Sequence, residues 1–290
     1  MPTLLAVPNV SEGHERDTIE AIAQAFESGG AELLDIHSDR DHERSVYTLG
    51  ARPGVLADAL LAGARVAVER VDIRDGRGAH PHVGALDVMP IVYLGEQARG
   101  AACAEALVVA DRIGEELAVP VFLYGALSAG RTRAELRRGG TSELERRIAL
   151  GELAPDFGPP RLHPSAGATL VAAREPLVAF NLELAPPASV HDARAIASLV
   201  REGGAEGLPG VRAIGVELSD AVAQLSMNVE RPLTGSLAAV VEAVRAHVPI
   251  AHAEIVGLTP RAALEGFPAD LPIAGFDASR QVIEEALAPG

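Results

Sequence analysis

The stretch Val211-Arg212-Ala213-Ile214-Gly215-Val216-Glu217-Leu218-Ser219-Asp220-Ala221-Val222-Ala223-Gln224-Leu225-Ser226-Met227-Asn228-Val229 decides the fold. It reads as two strands, Val211–Leu218 and Val222–Val229, folded into a hairpin across Ser219–Ala221. Working outward, Leu177–Leu184 is a strand, and Ala188–Glu202 is a helix closed by Gly203-Gly204. After the hairpin, Ser236–His247 is a helix and Ala253–Leu258 a strand. The order is β-α-β-β-α-β, the ferredoxin-like split unit.

The first part of the chain repeats that order. Thr3–Val7 is a short apolar strand, and Ser11-Glu12-Gly13 turns into a helix over His14–Glu27. Ile19, Ile22, Ala23 and Phe26 share one face of that helix, and Gly29-Gly30 stops it. Glu32–Ile36 and Arg44–Leu49 are strands joined by a polar bend. Gly54–Val71 is a helix with Leu56, Leu60, Ala64 and Val68 in register. A loop over Asp72–Gly84 leads into the strand Leu86–Leu94. The expected class is therefore α/β (α+β), with two β-α-β-β-α-β subdomains in tandem, 1–176 and 177–290. A doubly wound sheet fits less well, because parallel neighbours need crossovers and here two hairpins are read. Between the copies, Gln97–Leu117 is helical, Val119–Leu123 a strand, and Arg131–Leu150 helical. Pro155–Gly167 is an ordered crossing loop, and Ser279–Leu287 a last helix docked on the second unit.

Composition narrows the chemistry. The 290 residues hold 25 Lys+Arg against 40 Asp+Glu, a net charge of −15, and every basic residue is Arg. Without lysine there is no Schiff base, no P-loop lysine and no carbamylated metal bridge. The acidic balance argues against nucleic acid and anionic membrane surfaces as partners, while a local Arg cluster still permits a small anionic ligand. The first residues read as a strand and not as a signal peptide, no run of about 18 apolar residues occurs, and the single Cys103 sits in an apolar helical stretch. Cytoplasm is the expected compartment.

The loop Arg74-Asp75-Gly76-Arg77-Gly78-Ala79-His80-Pro81-His82-Val83-Gly84 carries the densest chemistry. Its glycines allow close backbone approach, and its histidines can exchange protons near neutral pH. On chemistry alone it serves equally as a site or as a Gly-rich loop in which His80 caps a carbonyl. His80-x-His82 would also suit a metal, but no second spaced pair appears, so no metal is expected. Asp39–Arg44 reads by default as a solvated bend, with Arg44 turned inward as a carboxylate clamp the alternative. Arg131, Arg133, Arg137, Arg138, Arg146 and Arg147 read as the wet face of a helical region, paired with Glu135, Glu143 and Glu145.

Several motifs resemble the formiminotransferase domain family, in its short form without the cyclodeaminase domain. They are Val7-Pro8-Asn9-Val10-Ser11-Glu12-Gly13, Gly78-Ala79-His80-Pro81 with Gly84-Ala85-Leu86-Asp87-Val88, and Pro120-Val121-Phe122-Leu123-Tyr124-Gly125. Pro155-Asp156-Phe157-Gly158-Pro159, Ala179-Phe180-Asn181, Ala213-Ile214-Gly215, Ala223-Gln224-Leu225-Ser226-Met227-Asn228 and Val256-Gly257-Leu258 continue it. The resemblance implies two α/β subdomains, a homodimer, and a formimidoyl group moved between N-formimidoyl-L-glutamate and N5 of tetrahydrofolate, the co-substrate, in histidine degradation. His80 matches the family's catalytic histidine. The folate-contacting stretch matches Gly158, Pro159, Pro160, Arg161, Leu162, His163, Pro164, Ser165, Ala166 and Gly167. Arg44 matches a family arginine and is the candidate substrate-carboxylate clamp. Three positions depart from the pattern: His82 stands where the family has Arg, Gly76 where it has His, and Glu43 where it has Asn. Formyl transfer (N-formylglutamate or 5-formyltetrahydrofolate) and a non-catalytic folate-binding homologue are the alternatives.

Overall fold

A computed structural model describes residues 3–75, 82–218, 221–232 and 236–288. His80, the expected catalytic residue, and Gly76, Arg77 and Gly78 lie outside them. The chain divides into two compact units, Met1–Arg174 and Glu175–Gly290.

The first unit holds β1 (Leu4–Ala6), β2 (Asn9–Val10), α1 (Arg16–Ser28), β3 (Glu32–Asp39), β4 (Arg44–Ala51), α2 (Leu56–Arg70), β5 (Leu86–Val92), α3 (Arg99–Leu117), β6 (Val121–Leu123), α4 (Arg133–Arg137), α5 (Gly140–Ala149) and β7 (Thr169–Arg174). β1 and β2 both lie between β4 and β5, antiparallel to each, with Val7-Pro8 between them. They form one strand line, interrupted where Pro8 has no N–H to donate. β3 pairs antiparallel with the far side of β4. β7 then adds in parallel to β5, and β6 in parallel to β7, giving a seven-stranded mixed sheet.

Thr169–Arg174 is a strand that the sequence reading left unassigned. Its run Thr-Leu-Val-Ala-Ala is buried on both faces, so it carries no alternation to betray it. A short apolar run between Gly167 and Pro176 was the available signal.

The sheet is covered on both sides. On one face Ile19, Ile22, Ala23 and Phe26 of α1 join Leu56, Leu60 and Ala64 of α2 and Ala106, Val109 and Ile113 of α3. Phe26 is fully buried and meets Tyr47 edge-on, with ring centroids 5.4 Å apart. Removing that ring would cost about 3–5 kcal/mol. On the other face Leu136, Leu144 and Ile148 of α4 and α5 pack on Val88, Phe122, Leu170 and Ala172. Two helices replace the single helical stretch read over Arg131–Leu150, because Gly139 and Gly140 adopt positive φ between them.

The second unit holds β8 (Val178–Leu184), α6 (Val190–Val200), β9 (Val211–Glu217), β10 (Ala223–Val229), α7 (Leu237–Arg245), β11 (Ile250–Val256), α8 (Ala278–Gln281) and α9 (Ile283–Ala286). Its four strands run in the order β11-β8-β10-β9, every neighbour antiparallel. Alternate residues Val178, Phe180, Leu182 and Leu184 of β8 and Ala223, Leu225, Met227 and Val229 of β10 face the helices. Asn181, Glu183, Gln224, Ser226 and Asn228 occupy the opposite face. Ser189 and Asp192 close a capping box at the start of α6. The last helix splits in two at Val282, whose extended backbone bridges to Thr259. The fold class is thus mixed α/β (α+β), as expected, with a sheet in the first unit larger than the β-α-β-β-α-β order alone implies.

Candidate active site

The loop that begins at Asp72 is held at both described ends by the segment 163–168. At its start the Ile73 N–H donates to the Ser165 carbonyl at 2.9 Å. At its end the Ala85 N–H donates to the Ala166 carbonyl, and the Ala168 N–H to the Val83 carbonyl, both at 2.9 Å. Gly84 and Gly167 make this approach possible. A Cβ on Gly84 would stand 1.9 Å from the Ala168 oxygen, and Gly167 has φ +66 with the Val83 oxygen 2.3 Å from its added Cβ. No side chain fits at either position.

The N-terminal motif closes the other side. The Ser11 Oγ donates to the Gly84 carbonyl and its N–H to the Ala85 carbonyl, both at 2.8 Å. The Ser45 Oγ donates to the Glu12 carbonyl at 2.6 Å. The end of the loop, the Ser11-Glu12-Gly13 turn and the start of β4 therefore meet at one end of the sheet's central strands. Arg44 is the first residue of β4, opposite Asp39 in register.

Arg44 is not on a solvated bend. Burial brings its guanidinium down to about 10, with Arg137 and Arg133 acting in the same direction and Asp87 and Asp39 opposing them. Asp39 is bound to His42, with the ring Nδ1 and Asp39 Oδ2 at 2.8 Å and the His42 N–H donating to Oδ1 at 3.0 Å. Burial pushes the Asp39 carboxyl up, but the bonds from the His42 side chain and backbone outweigh it and hold it at about 2. Glu43, the departure beside Arg44, has its carboxylate 3.1 Å from His14 Nε2.

Arg137 of α4 does not lie on the wet face. Arg137 forms an ion pair with Asp87, whose side chain is 3% exposed. The second Asp87 oxygen accepts the Val83 N–H at 2.8 Å. Asp87 thus connects the end of the loop to α4. Arg133 stacks over Tyr124, 5.8 Å from the ring centroid. Arg131 pairs with Asp156 at 2.9 Å. Arg146 does stay on the surface, paired with Glu143 and Glu152. A carboxylate inside the apolar run Leu86-Asp87-Val88-Met89 was a readable sign, since Asp is rarely fully buried unless paired. Nothing in Arg137-Arg138 marks which of the two turns inward.

The ten residues of the expected folate stretch have different surroundings. Gly158 lies on α3, where a Cβ on Gly114 would come within 2.6 Å of its nitrogen. Pro160, Arg161 and Pro164 are exposed, and Leu162 packs beneath α4 and α5. Among the described residues, Ser165, Ala166 and Gly167 meet the ends of the loop. His163 Nδ1 accepts the Ala166 N–H at 3.0 Å, and its backbone exchanges two hydrogen bonds with Gly167. Partial burial lowers the His163 pKa, in keeping with a neutral ring that accepts at Nδ1. Arg74 is exposed and bonded to Asp72, and Cys103 packs beside the α1–α3 core.

A mixed sheet whose central strands end at a glycine-hemmed loop, two half-buried arginines and a buried carboxylate defines the class of the first unit, an α+β fold with charged groups gathered at one end of its sheet. Residues 3–174 match the family model described as "Formiminotransferase domain, N-terminal subdomain". The chain is 34% identical to the glutamate formimidoyltransferase of Streptococcus pyogenes, over 97% of both chains. It is 34% identical to the glutamate formimidoyltransferase of Thermoplasma acidophilum, over 91% of this chain and 90% of that one. It is 38% identical to the formimidoyltransferase-cyclodeaminase of Sus scrofa, over 89% of this chain and half of that protein. The chain belongs to the formiminotransferase family.

Proposed function

We propose that the chain transfers a formimidoyl group between N-formimidoyl-L-glutamate and N5 of tetrahydrofolate, a step of histidine degradation. Two relatives matched along nearly their whole length carry the name glutamate formimidoyltransferase. The geometric observation that carries the reading is the fastening of the loop 72–84 at both ends to residues 163–168. It brings the segment that bears the proposed acid–base residue beside the segment proposed to contact folate.

In the proposed reaction N5 attacks the formimidoyl carbon. The N5–C bond forms, the bond from that carbon to the glutamate nitrogen breaks, and the proton lost by N5 must reach the departing amine. His80 is the proposed carrier of that proton, a role suited to a side chain that titrates near neutrality. Gly158–Gly167 is the proposed folate contact, where flat rings need apolar walls and a few polar groups. Arg44 is the proposed carboxylate clamp, supported by its burial beside Arg137 and Asp87. We further read the protein as a cytoplasmic homodimer with no nucleic-acid or membrane partner, acting on small molecules with tetrahydrofolate as co-substrate and no metal.

The test is direct. Purified protein is mixed with tetrahydrofolate and N-formimidoyl-L-glutamate while the absorbance of the new folate is followed. Turnover is the expected result. Turnover only with N-formylglutamate would replace the reading by formyl transfer. Folate binding without turnover on either donor would replace it by a carrier role.

A further inference from the structure

The turn that fastens the loop 72–84 is itself closed by a side chain. The His163 backbone exchanges two hydrogen bonds with Gly167, at 2.9 and 3.0 Å, so residues 163–167 fold back on themselves. Inside that turn the His163 Nδ1 accepts the Ala166 N–H at 3.0 Å, and the Ser165 N–H points at the same atom from 3.4 Å. An Nδ1 that accepts carries no proton, so the neutral ring keeps its proton on Nε2. The two residues whose N–H groups turn inward to the ring send their carbonyls outward to the loop. The Ser165 carbonyl accepts the Ile73 N–H and the Ala166 carbonyl the Ala85 N–H, both at 2.9 Å. One half-buried imidazole thus sets the acceptors at both described ends of the loop. Of the described charged groups on the segments that meet this turn, Asp72 and Arg74 are bonded to each other and Asp87 to Arg137. Arg161 is exposed and His82 stands at the end of the loop. Burial is the one cause that lowers the His163 pKa from its ordinary 6.5.

We infer that His163 is a positioning residue, a neutral latch whose Nδ1 keeps the turn 163–167 in the form that fastens both ends of the loop 72–84, and that protonation of the ring releases it. A protonated Nδ1 is a donor facing two N–H groups, so both contacts turn from attraction to repulsion. The latch is complete where the ring is neutral, above about pH 6.5, and is lost as pH falls through the lowered folded value. The inference deepens the proposed transfer reaction and rests on it only for the effect on turnover. The latch itself is a property of the turn.

The test uses the full chain with His163→Asn and His163→Leu. The Asn Oδ1 takes the place of Nδ1, accepts the same N–H groups and does not titrate. Leu keeps bulk and offers no acceptor. Long-range proton–nitrogen NMR spectra of histidine-labelled protein show which ring nitrogen carries the proton, and the His163 signals are those lost in His163→Asn. Hydrogen exchange at the Ile73 and Ala85 amides, corrected for its intrinsic pH dependence, is followed from about pH 8 to about pH 5, across the histidine range. Should His163→Leu fail to fold, the comparison of wild type with His163→Asn carries the test. The kinetics of transfer are measured in parallel at about pH 8, where the ring is neutral.

The expected ring has a bare Nδ1, a proton on Nε2 and a titration below 6.5. Protection of both amides should fall about 2- to 10-fold in the wild type as that ring titrates, stay level across the range in His163→Asn, and be low at every pH in His163→Leu. In His163→Leu kcat should fall about 10-fold, by more than KM changes, and His163→Asn should recover most of that loss. The spectra and the exchange support the latch even if the wild type transfers nothing, in which case only the proposed reaction fails. Three results would overturn the inference while leaving the reaction standing. They are a proton on Nδ1 of the neutral ring, wild-type protection of both amides in folded His163→Leu, and the same pH-dependent fall in wild type and His163→Asn.

Discussion

Gly84→Ala is the sharpest probe of how the loop is held. The added Cβ would lie 1.9 Å from the Ala168 oxygen and 2.8 Å from the Ala166 oxygen. Carbon and oxygen need about 3 Å, so one backbone must retreat by about 1 Å in a packed interior. Three hydrogen bonds are strained by that retreat: Ala85 to Ala166, Ala168 to Val83, and Ser11 to Gly84. Each contributes about 0.5–1.5 kcal/mol and the overpacking itself costs about 1–3 kcal/mol, so a loss of about 2.5–7.5 kcal/mol is expected. A displacement of about 1 Å beside reacting groups also predicts a fall in kcat of about 100-fold. Urea unfolding followed by tyrosine fluorescence reads the right unit, because Tyr47, Tyr93 and Tyr124 are the only tyrosines and all fall within Met1–Arg174. Gly100→Ala is the control: Gly100 is exposed near the start of α3 with no atom within 4 Å of an added Cβ. That change should stabilise by about 0.4–1 kcal/mol and leave turnover alone. A Gly84→Ala protein with the wild-type urea midpoint and wild-type kcat would refute the reasoning.

The remaining predictions concern protons and charges. His80→Asn should keep the urea midpoint and lose about 10²- to 10⁴-fold in turnover; near-normal turnover would remove His80 from the mechanism. Asp87→Ala leaves the Arg137 guanidinium without its partner and should cost about 3–5 kcal/mol. Adding Arg137→Met should recover much of that, and a single variant within 1 kcal/mol of wild type would mean the pair is not buried as described. Asp39 has its carboxyl held at about 2, below the ordinary value of 3.8, so it favours the folded state by about 2 kcal/mol above pH 4. That contribution is lost as pH falls from about 4 to about 2. Asp39→Asn should therefore be less stable than wild type at pH 7 and converge with it near pH 2; urea midpoints that differ equally at every pH would contradict this.

Much of the architecture was legible because it is local. The hairpin at Val211–Val229, the helix whose Ile19, Ile22, Ala23 and Phe26 share a face, and the glycines that end α1 all follow from periodicity and backbone preference. The motif residues Ser11, Gly84 and Tyr124 were also visible as a set. Their mutual position was not, since Ser11 and Gly84 are 73 residues apart when they bond. Arg137 shows the limit most clearly. It lies between Leu136 and Arg138, and only the seating of α4 turns it toward Asp87, 50 residues away.

The amino-acid order by itself determined most of the sequence of strands and helices, the repeated β-α-β-β-α-β order, the absence of lysine chemistry, and the family. These depend on side-chain alternation, turn chemistry and composition, which neighbours in the chain set without help. Tertiary structure alone decided that β7 enters between β5 and β6, that residues 163–168 fasten both ends of the loop, and that Arg137 pairs with Asp87. Those outcomes depend on register and on packing between elements far apart in the chain. A buried charge is stable only where that packing delivers its partner.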